Sequence, residues 1–185
     1  MISSPVFAAP VVMRAQPNRR FPLIDGFPFA AARGEARGTS AVADFGRLRD
    51  LLSSPEGELE YSVQGTSDDL GRPALRLKAK GTLQLTCQRC LGALGFPLEV
   101  DAMLVLARDE AEIEAQPVDP DSADRIVGGR EMAVGELLED EILLAIPFAP
   151  RHGQCSGTDD RAGEDKVSPF ADLRGLLKQG GRARN

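Results

Sequence analysis

Two long stretches of alternating apolar and polar residues constrain the fold of this chain more than any other feature. The first spans residues 75–87, where leucines recur on one parity, and the second spans residues 96–106. A period of two over this length predicts two strands, each with one face toward a core. The connection Cys90–Gly95 contains two glycines, as hairpin loops often do. The sequence therefore predicts a long β-hairpin.

Shorter patterns on both sides of the hairpin predict the rest of the fold. Residues 58–64 alternate like a further strand, and residues 43–52 have the apolar spacing of a short surface helix. Residues 131–147 predict a helix that Pro147 ends. Its predicted apolar face consists of Val134, Leu137, Leu138, Ile142 and Ala145, and its predicted solvent face of Glu136, Glu139 and Asp140. Ser168 and Pro169 begin a short predicted helix over 168–178.

These patterns predict an α+β domain: an antiparallel sheet built on the central hairpin, covered by a helix, with short flanking helices. A length of 185 residues fits one such domain, which we place at residues 41–178. Residues 1–40 are rich in proline and arginine, and we expect a basic, partly ordered arm. Residues 108–130 predict an acidic loop, since carboxylates and prolines dominate its first half, and residues 179–185 a disordered tail.

Composition narrows the class of protein. The net charge of −6 argues against a globally basic nucleic-acid binder. No apolar run approaches the roughly 20 residues of a membrane span. The first ten residues lack the basic start of a signal peptide. We therefore expect a cytoplasmic protein without a membrane partner, in which a Cys-x-x-Cys pair indicates metal or redox chemistry.

Four residues form a candidate metal site. Cys87 and Cys90 lie at the predicted hairpin tip, and His152 and Cys155 follow the predicted helix exit. Thiolate and imidazole are the ligands that Zn²⁺ favours, and two pairs from separate segments are the usual construction of a structural site. In one alternative, Cys87 is only a core residue and His152 lies in a surface loop. In another, Cys87 and Cys90 are a redox pair, although strands flank them instead of a strand and a helix.

Basic residues suggest two places for contact with RNA or a partner. Arg76, Lys78 and Lys80 share one strand face that could follow phosphates, with Arg89 at the tip. The alternative for this face is cross-strand pairing with Glu99 and Asp101. Arg19 and Arg20 in the arm are a second candidate contact. Aromatic residues for base stacking are missing from these strands.

The sequence contains no pattern of an enzyme active site. It has one histidine and lacks a Gly-x-Ser-x-Gly elbow, a phosphate-binding glycine loop and a His-Glu-x-x-His helix. We therefore expect a binding or assembly factor that takes no small-molecule substrate.

Three stretches together resemble the bacterial YceD family, the large ribosomal RNA subunit accumulation proteins. They are Leu85–Cys90, Leu138–Pro147 with His152 and Cys155 after it, and the segment Ser168–Leu173. The resemblance implies a role in synthesis, processing or stability of 23S rRNA. The implied partner is 23S rRNA or the pre-50S particle, reached directly or through a ribosomal protein. Some relatives end in a cysteine-rich segment, whereas this chain has only His152 and Cys155 there.

A second function remains open beside that role. A small zinc-binding adaptor that binds a ribosomal protein or an assembly enzyme, without touching RNA, fits the acidic composition equally well.

Overall fold

The predicted hairpin forms the middle of the main sheet in the computed structural model, which describes residues 12–14, 21–115, 117 and 122–155. Residue contacts group Met1–His152 into one unit and Gly153–Asn185 into another. The strands are β1 (Val12–Arg14), β2 (Leu23–Ile24), β3 (Glu35–Ala41), β4 (Leu52–Ser54), β5 (Glu58–Ser67), β6 (Pro73–Thr86), β7 (Ala93–Ala107), β8 (Asp124–Val127) and β9 (Met132–Ala133). The helices are α1 (Gly26–Ala31), α2 (Glu110–Glu114) and α3 (Val134–Ala145), with 3-10 turns at Val42–Asp44 and Gly46–Leu51.

Seven of the described strands form one sheet in the order β1-β3-β5-β6-β7-β8, with β4 paired to β6 beyond the end of β5. The four central strands are antiparallel, whereas β1 and β8 pair parallel at the two edges. The hairpin register runs from Ala74 opposite Val105 to Thr86 opposite Ala93. β2 and β9 form a separate two-stranded ribbon. The predicted α+β class and central antiparallel hairpin are confirmed.

One face of the sheet carries the core, as the period-two pattern predicts. Leu75, Leu77, Leu83 and Leu85 of β6 are completely buried. α1 lies against β5 and β6, and α3 lies against β6 and β7, so two helices cover this face. On the opposite face of β6, residues 76, 78, 80 and 82 are exposed, whereas Gln84 and Thr86 are half-buried and Ala74 is buried. Burial of apolar side chains of this size is worth about 1.5–3 kcal/mol each, so the leucine row makes a large contribution to stability.

The prediction of a partly ordered arm over residues 1–40 is wrong for residues 21–40. These residues form β2, α1 and β3, and they bury Ile24 and Phe29. The ring of Phe21 packs 5.3 Å from that of Phe45. Aromatic burial outweighs the composition bias, and Pro28 sits in the first turn of α1, where proline is tolerated. Arg19 and Arg20 lie outside the described residues.

Two further predictions need correction. The acidic stretch 108–130 contains α2 and strand β8, which pairs with the end of β7. Asp109 caps α2 by accepting a 2.8 Å hydrogen bond from the Glu112 N–H, so one acidic side chain begins the helix. The helix predicted over 43–52 is two 3-10 turns. The predicted helix over 168–178 and the tail over 179–185 lie outside the described residues.

Glu139 of α3 was predicted on the solvent face, and this is wrong, because only 8% of it is exposed. Its two carboxylate oxygens accept hydrogen bonds from the backbone N–H of Arg47, at 2.6 Å, and from the Arg47 Nε–H, at 2.9 Å. Asp140 binds Nη1 of the same guanidinium at 2.6 Å. A charged pair therefore fixes α3 to the 3-10 turn Gly46–Leu51.

Replacing Glu139 with alanine is expected to lower the free energy of unfolding by about 2 kcal/mol, because the half-buried backbone donor of Arg47 loses a charged acceptor. Asp140→Ala is the matched control, since its side chain is 55% exposed. Asp140→Ala should lower the free energy of unfolding by less than about 1 kcal/mol, because exposed ion pairs contribute no more than that. Urea unfolding of both variants measures the difference. Equal losses would show that the buried carboxylate holds α3 no better than the exposed one.

Candidate metal centre

The tip of the hairpin is a tight turn that holds Cys87 and Cys90. The Cys87 N–H donates to the Gly92 carbonyl at 2.9 Å, and the Leu91 N–H donates to the Cys87 carbonyl at 2.9 Å. Leu91 has a φ of 59°, in the left-handed region that costs a non-glycine residue about 1–2 kcal/mol. The turn therefore holds a strained backbone immediately after Cys90, which is where the chain reverses to enter β7.

The chain after α3 returns to this tip. The Gln88 N–H donates to the Pro150 carbonyl at 2.8 Å. Two residues further along both segments, Nδ1 of His152 lies 3.4 Å from Sγ of Cys90. Nε2 of the same ring lies 2.9 Å from the Ala93 carbonyl oxygen. These contacts align the segment after Pro147 with the hairpin tip, so the two predicted halves of the site meet.

The predicted ligand set comes together as one group. One ligand atom from each of Cys87, Cys90, His152 and Cys155 lies within 4.8 Å of the other three. In a tetrahedral zinc site with Zn–S bonds of about 2.3 Å, neighbouring ligand atoms are about 3.8 Å apart. Each pair must therefore approach by at most about 1 Å to bind the ion. Cys87 is buried and the other three are half-buried, which suits a site that excludes most water.

The hydrogen bonds around Cys87 favour its deprotonated form, the thiolate. The pKa of the Cys87 thiol is lowered to about 5, chiefly because the backbone N–H of Cys90 donates to the sulfur, with further backbone donors at Arg89 and His152. Burial opposes this shift without reversing it. The thiolate is the form of cysteine that binds metal, so Cys87 is ready to coordinate near neutral pH.

His152 is oriented by a backbone carbonyl. A carbonyl oxygen only accepts, so the proton of the neutral ring is on Nε2, bonded to Ala93, and the lone pair is on Nδ1. The pKa of His152 is raised, first by its contact with Cys90 and then by the Ala93 carbonyl. In the charged ring a proton occupies Nδ1, and a metal ion would replace that proton. Nδ1 is therefore the atom that would bind a metal ion, and the Ala93 carbonyl holds the ring in the way that carbonyls around metal sites do.

Two components of this centre had no signal in the sequence. The Ala93 carbonyl and the Gln88–Pro150 hydrogen bond are backbone groups, which any residue would offer. The alternative in which His152 is only a surface-loop residue does not account for its contacts with Cys90 and Ala93. Cys87 is both a buried residue, as the leucine parity predicts, and a member of the group.

The predicted basic stripe on β6 lies elsewhere and is paired. Arg76 donates to both oxygens of Asp101, at 2.7 and 2.9 Å, and Nζ of Lys78 lies 3.2 Å from the same carboxylate. The pKa of Asp101 is lowered to about 2, chiefly by the hydrogen bond from Arg76. Lys80 faces Glu60 and Glu99 in register. This face has the cross-strand pairing that was the alternative to RNA contact, so a phosphate would have to displace carboxylates.

The stripe and the metal centre are separate regions of the hairpin. At about 3.3 Å per residue, Cys87 is roughly 20 Å from Lys80 along the strand. Arg89 is exposed and lies within the tip turn itself. Of the predicted RNA-contact residues that the structure describes, Arg89 is the one beside the metal centre.

In the described residues, no helix has both the length and the apolar character needed to cross a membrane.

Comparison with known proteins identifies a family but no structural precedent. No solved structure matches this chain. The model of the family described as large ribosomal RNA subunit accumulation protein YceD matches residues 75–177, more than half of the chain. The match includes the hairpin, α3 and all four residues of the candidate metal centre. The chain therefore belongs to the YceD family, whose description connects it with accumulation of the large-subunit ribosomal RNA.

Proposed function

We propose that this chain is a non-enzymatic ribosome biogenesis factor that supports synthesis, processing or stability of 23S rRNA during large-subunit assembly in the cytoplasm. The family description carries the connection with large-subunit rRNA. The partner in this proposal is 23S rRNA or the pre-50S particle, bound directly or through a ribosomal protein.

The proposal includes a structural zinc ion held by Cys87, Cys90, Nδ1 of His152 and Cys155. The observation that carries it is the convergence of these four ligand atoms from two segments of the chain. Zn²⁺ supplies a closed tetrahedral shell, and four protein ligands leave no position for a substrate, which supports a non-enzymatic role. The ion would close the loop of 62 residues between Cys90 and His152, which costs entropy to order.

Two other functions have some support. The paired, mixed-charge face of the sheet and the net charge of −6 favour an adaptor that binds a ribosomal protein or an assembly enzyme without touching RNA. The lowered pKa of Cys87 is a property of redox cysteines. Cys87 is buried, however, and antiparallel strands flank the pair on both sides, which is unfavourable for thiol exchange.

Depletion of the protein in its own cells tests the proposed role. The ratio of 23S to 16S rRNA is expected to fall, and return of the wild-type chain should restore it. Pulse-labelling of new rRNA then separates reduced synthesis from increased decay. A normal ratio after complete depletion would contradict the proposal. Crosslinking in cells distinguishes the adaptor: contact with ribosomal proteins and none with 23S rRNA would favour it.

A further inference from the structure

The two segments that build the metal centre have an unusual charge for this chain. The protein has 28 acidic residues in 185, yet residues 86–98 and 142–155 contain neither aspartate nor glutamate. They do contain two exposed arginines, Arg89 and Arg151. Three thiolates and one Zn²⁺ would carry a single negative charge, which two guanidinium groups exceed. Within the residues that the structure describes, these two segments therefore carry a net positive charge in an acidic protein.

One backbone hydrogen bond and one side-chain contact bring the segments that carry the two arginines together. Gln88 bonds to Pro150, and Cys90 meets His152, so the residue between each pair is Arg89 on one segment and Arg151 on the other. Both arginines are exposed at the hairpin tip.

An exposed aromatic ring accompanies them. Phe148 is 105% exposed, two residues before Pro150. The other aromatic side chains that the structure describes are buried or half-buried, and Phe29, Phe45 and Tyr61 belong to the core. The exposed Phe148 ring gains none of the free energy that the other described aromatic rings gain by burial. We call Arg89, Phe148 and Arg151 the tip surface.

We propose that the tip surface binds single-stranded RNA, with Arg89 and Arg151 on phosphates and an unpaired base stacked on Phe148. This inference rests on the proposed function and specifies which surface meets the rRNA and in what form. Arginine beside an exposed aromatic ring is how proteins hold unpaired nucleotides, through charge on the backbone and stacking on the base. The sheet face is less suited, because Asp101 pairs Arg76 and Lys78, Lys80 lies between Glu60 and Glu99, and this face lacks exposed rings among the described residues.

The stacking contact is tested with full-length protein, as purified, against fluorescein-labelled oligouridine and against 23S rRNA transcribed in vitro. Phe148→Ala should weaken binding about tenfold, since one base–aromatic stack is lost. Phe148→Leu should weaken it as much, because leucine is apolar but cannot stack, whereas Phe148→Tyr should bind like the wild type. Leu70→Ala, at an exposed leucine in the β5–β6 turn, is the control for removal of surface apolar area.

The phosphate contacts are tested through salt dependence. Arg89→Gln and Arg151→Gln should each reduce the slope of log affinity against log salt by about 0.7, the value for one phosphate on a single strand. Arg130→Gln is the charge-matched control, because Arg130 is exposed beyond β8, at the opposite end of the hairpin. Thermal melting of each variant checks that the fold is intact.

Three results would overturn the proposal. The first is wild-type protein that binds neither oligouridine nor 23S rRNA. The second is a Phe148→Leu variant that binds RNA as the wild type does, so that no base is stacked. The third is an Arg130→Gln variant that changes the salt slope as much as the tip variants do. If depletion still lowers 23S rRNA in any of these cases, the assembly role stands and only the assignment of RNA binding to the tip surface is overturned. A normal 23S level would instead remove the assembly role itself.

Discussion

Serine in place of Cys90 is expected to remove the metal from the protein. Wild-type chain purified under reducing conditions without chelator should contain about one zinc per chain, with Zn–S distances of about 2.3 Å. Cys90→Ser should contain almost none, because a structural site loses much of its roughly 10–16 kcal/mol of binding free energy when a ligand is replaced. The tip should then separate from the segment 147–155. Elemental analysis, X-ray absorption and hydrogen exchange of that segment measure these effects.

Gln88→Ala is the control for this variant. Gln88 lies in the same turn, its side chain is exposed, and the substitution keeps the backbone N–H that donates to Pro150. It should retain both the zinc and the protection of residues 147–152 against exchange. Wild-type protein that contains no zinc after such a purification, or a Cys90→Ser chain that retains it, would contradict the metal centre.

Leu138→Asp is expected to unfold the domain. Leu138 is completely buried between α3 and the sheet. The substitution removes an apolar side chain, which by itself costs about 2–5 kcal/mol, and it places a carboxylate where no partner is available. The sum approaches the whole stability of an ordinary domain, about 5–15 kcal/mol. Circular dichroism and thermal melting should show loss of the cooperative transition.

The same helix provides the control. Leu144 lies in α3, six residues after Leu138, and is 73% exposed. Leu144→Asp should change the free energy of unfolding by about 0.5 kcal/mol or less, as surface substitutions usually do. If both variants unfold, helix propensity and not burial would be the cause. If neither unfolds, α3 does not cover the sheet as described.

The sequence predicts well those elements in which buried residues recur at the regular spacing of a strand or a helix. The leucines of β6 alternate because one face of the strand is buried, and Val134, Leu138 and Ile142 recur at helical spacing for the same reason. The four candidate metal ligands stand out in the sequence because their residue types and short spacings are chemically restrictive. The fold class and the ligand set therefore followed from local patterns.

What the sequence did not predict depends on contacts between distant segments. Glu139 has the position of a solvent-facing residue on a helical wheel, and only Arg47, 92 residues away, makes its burial possible. The stretch 21–40 has the composition of a loose arm, yet Phe21 and Phe29 join a core formed later in the chain. The Ala93 carbonyl that orients His152 is a backbone group, so the amino-acid sequence cannot indicate it. The burial of Glu139, the order of residues 21–40 and the orientation of His152 all depend on contacts with residues distant in the sequence.

The long separation between the two halves of the metal centre has a consequence for how the protein is made. Translation at about 5–20 residues per second needs roughly 3–12 s for the 62 residues from Cys90 to His152. Once synthesis passes Ala107, β3, β5, β6 and β7 are complete and can pair as neighbours in order of synthesis, but the cysteine pair still has no histidine. The apolar face of the hairpin also waits for α3 over the same interval. Closure of the core by α3 and alignment of His152 with Cys90 are therefore late, nearly simultaneous events, because both need residues that the ribosome adds well after the hairpin.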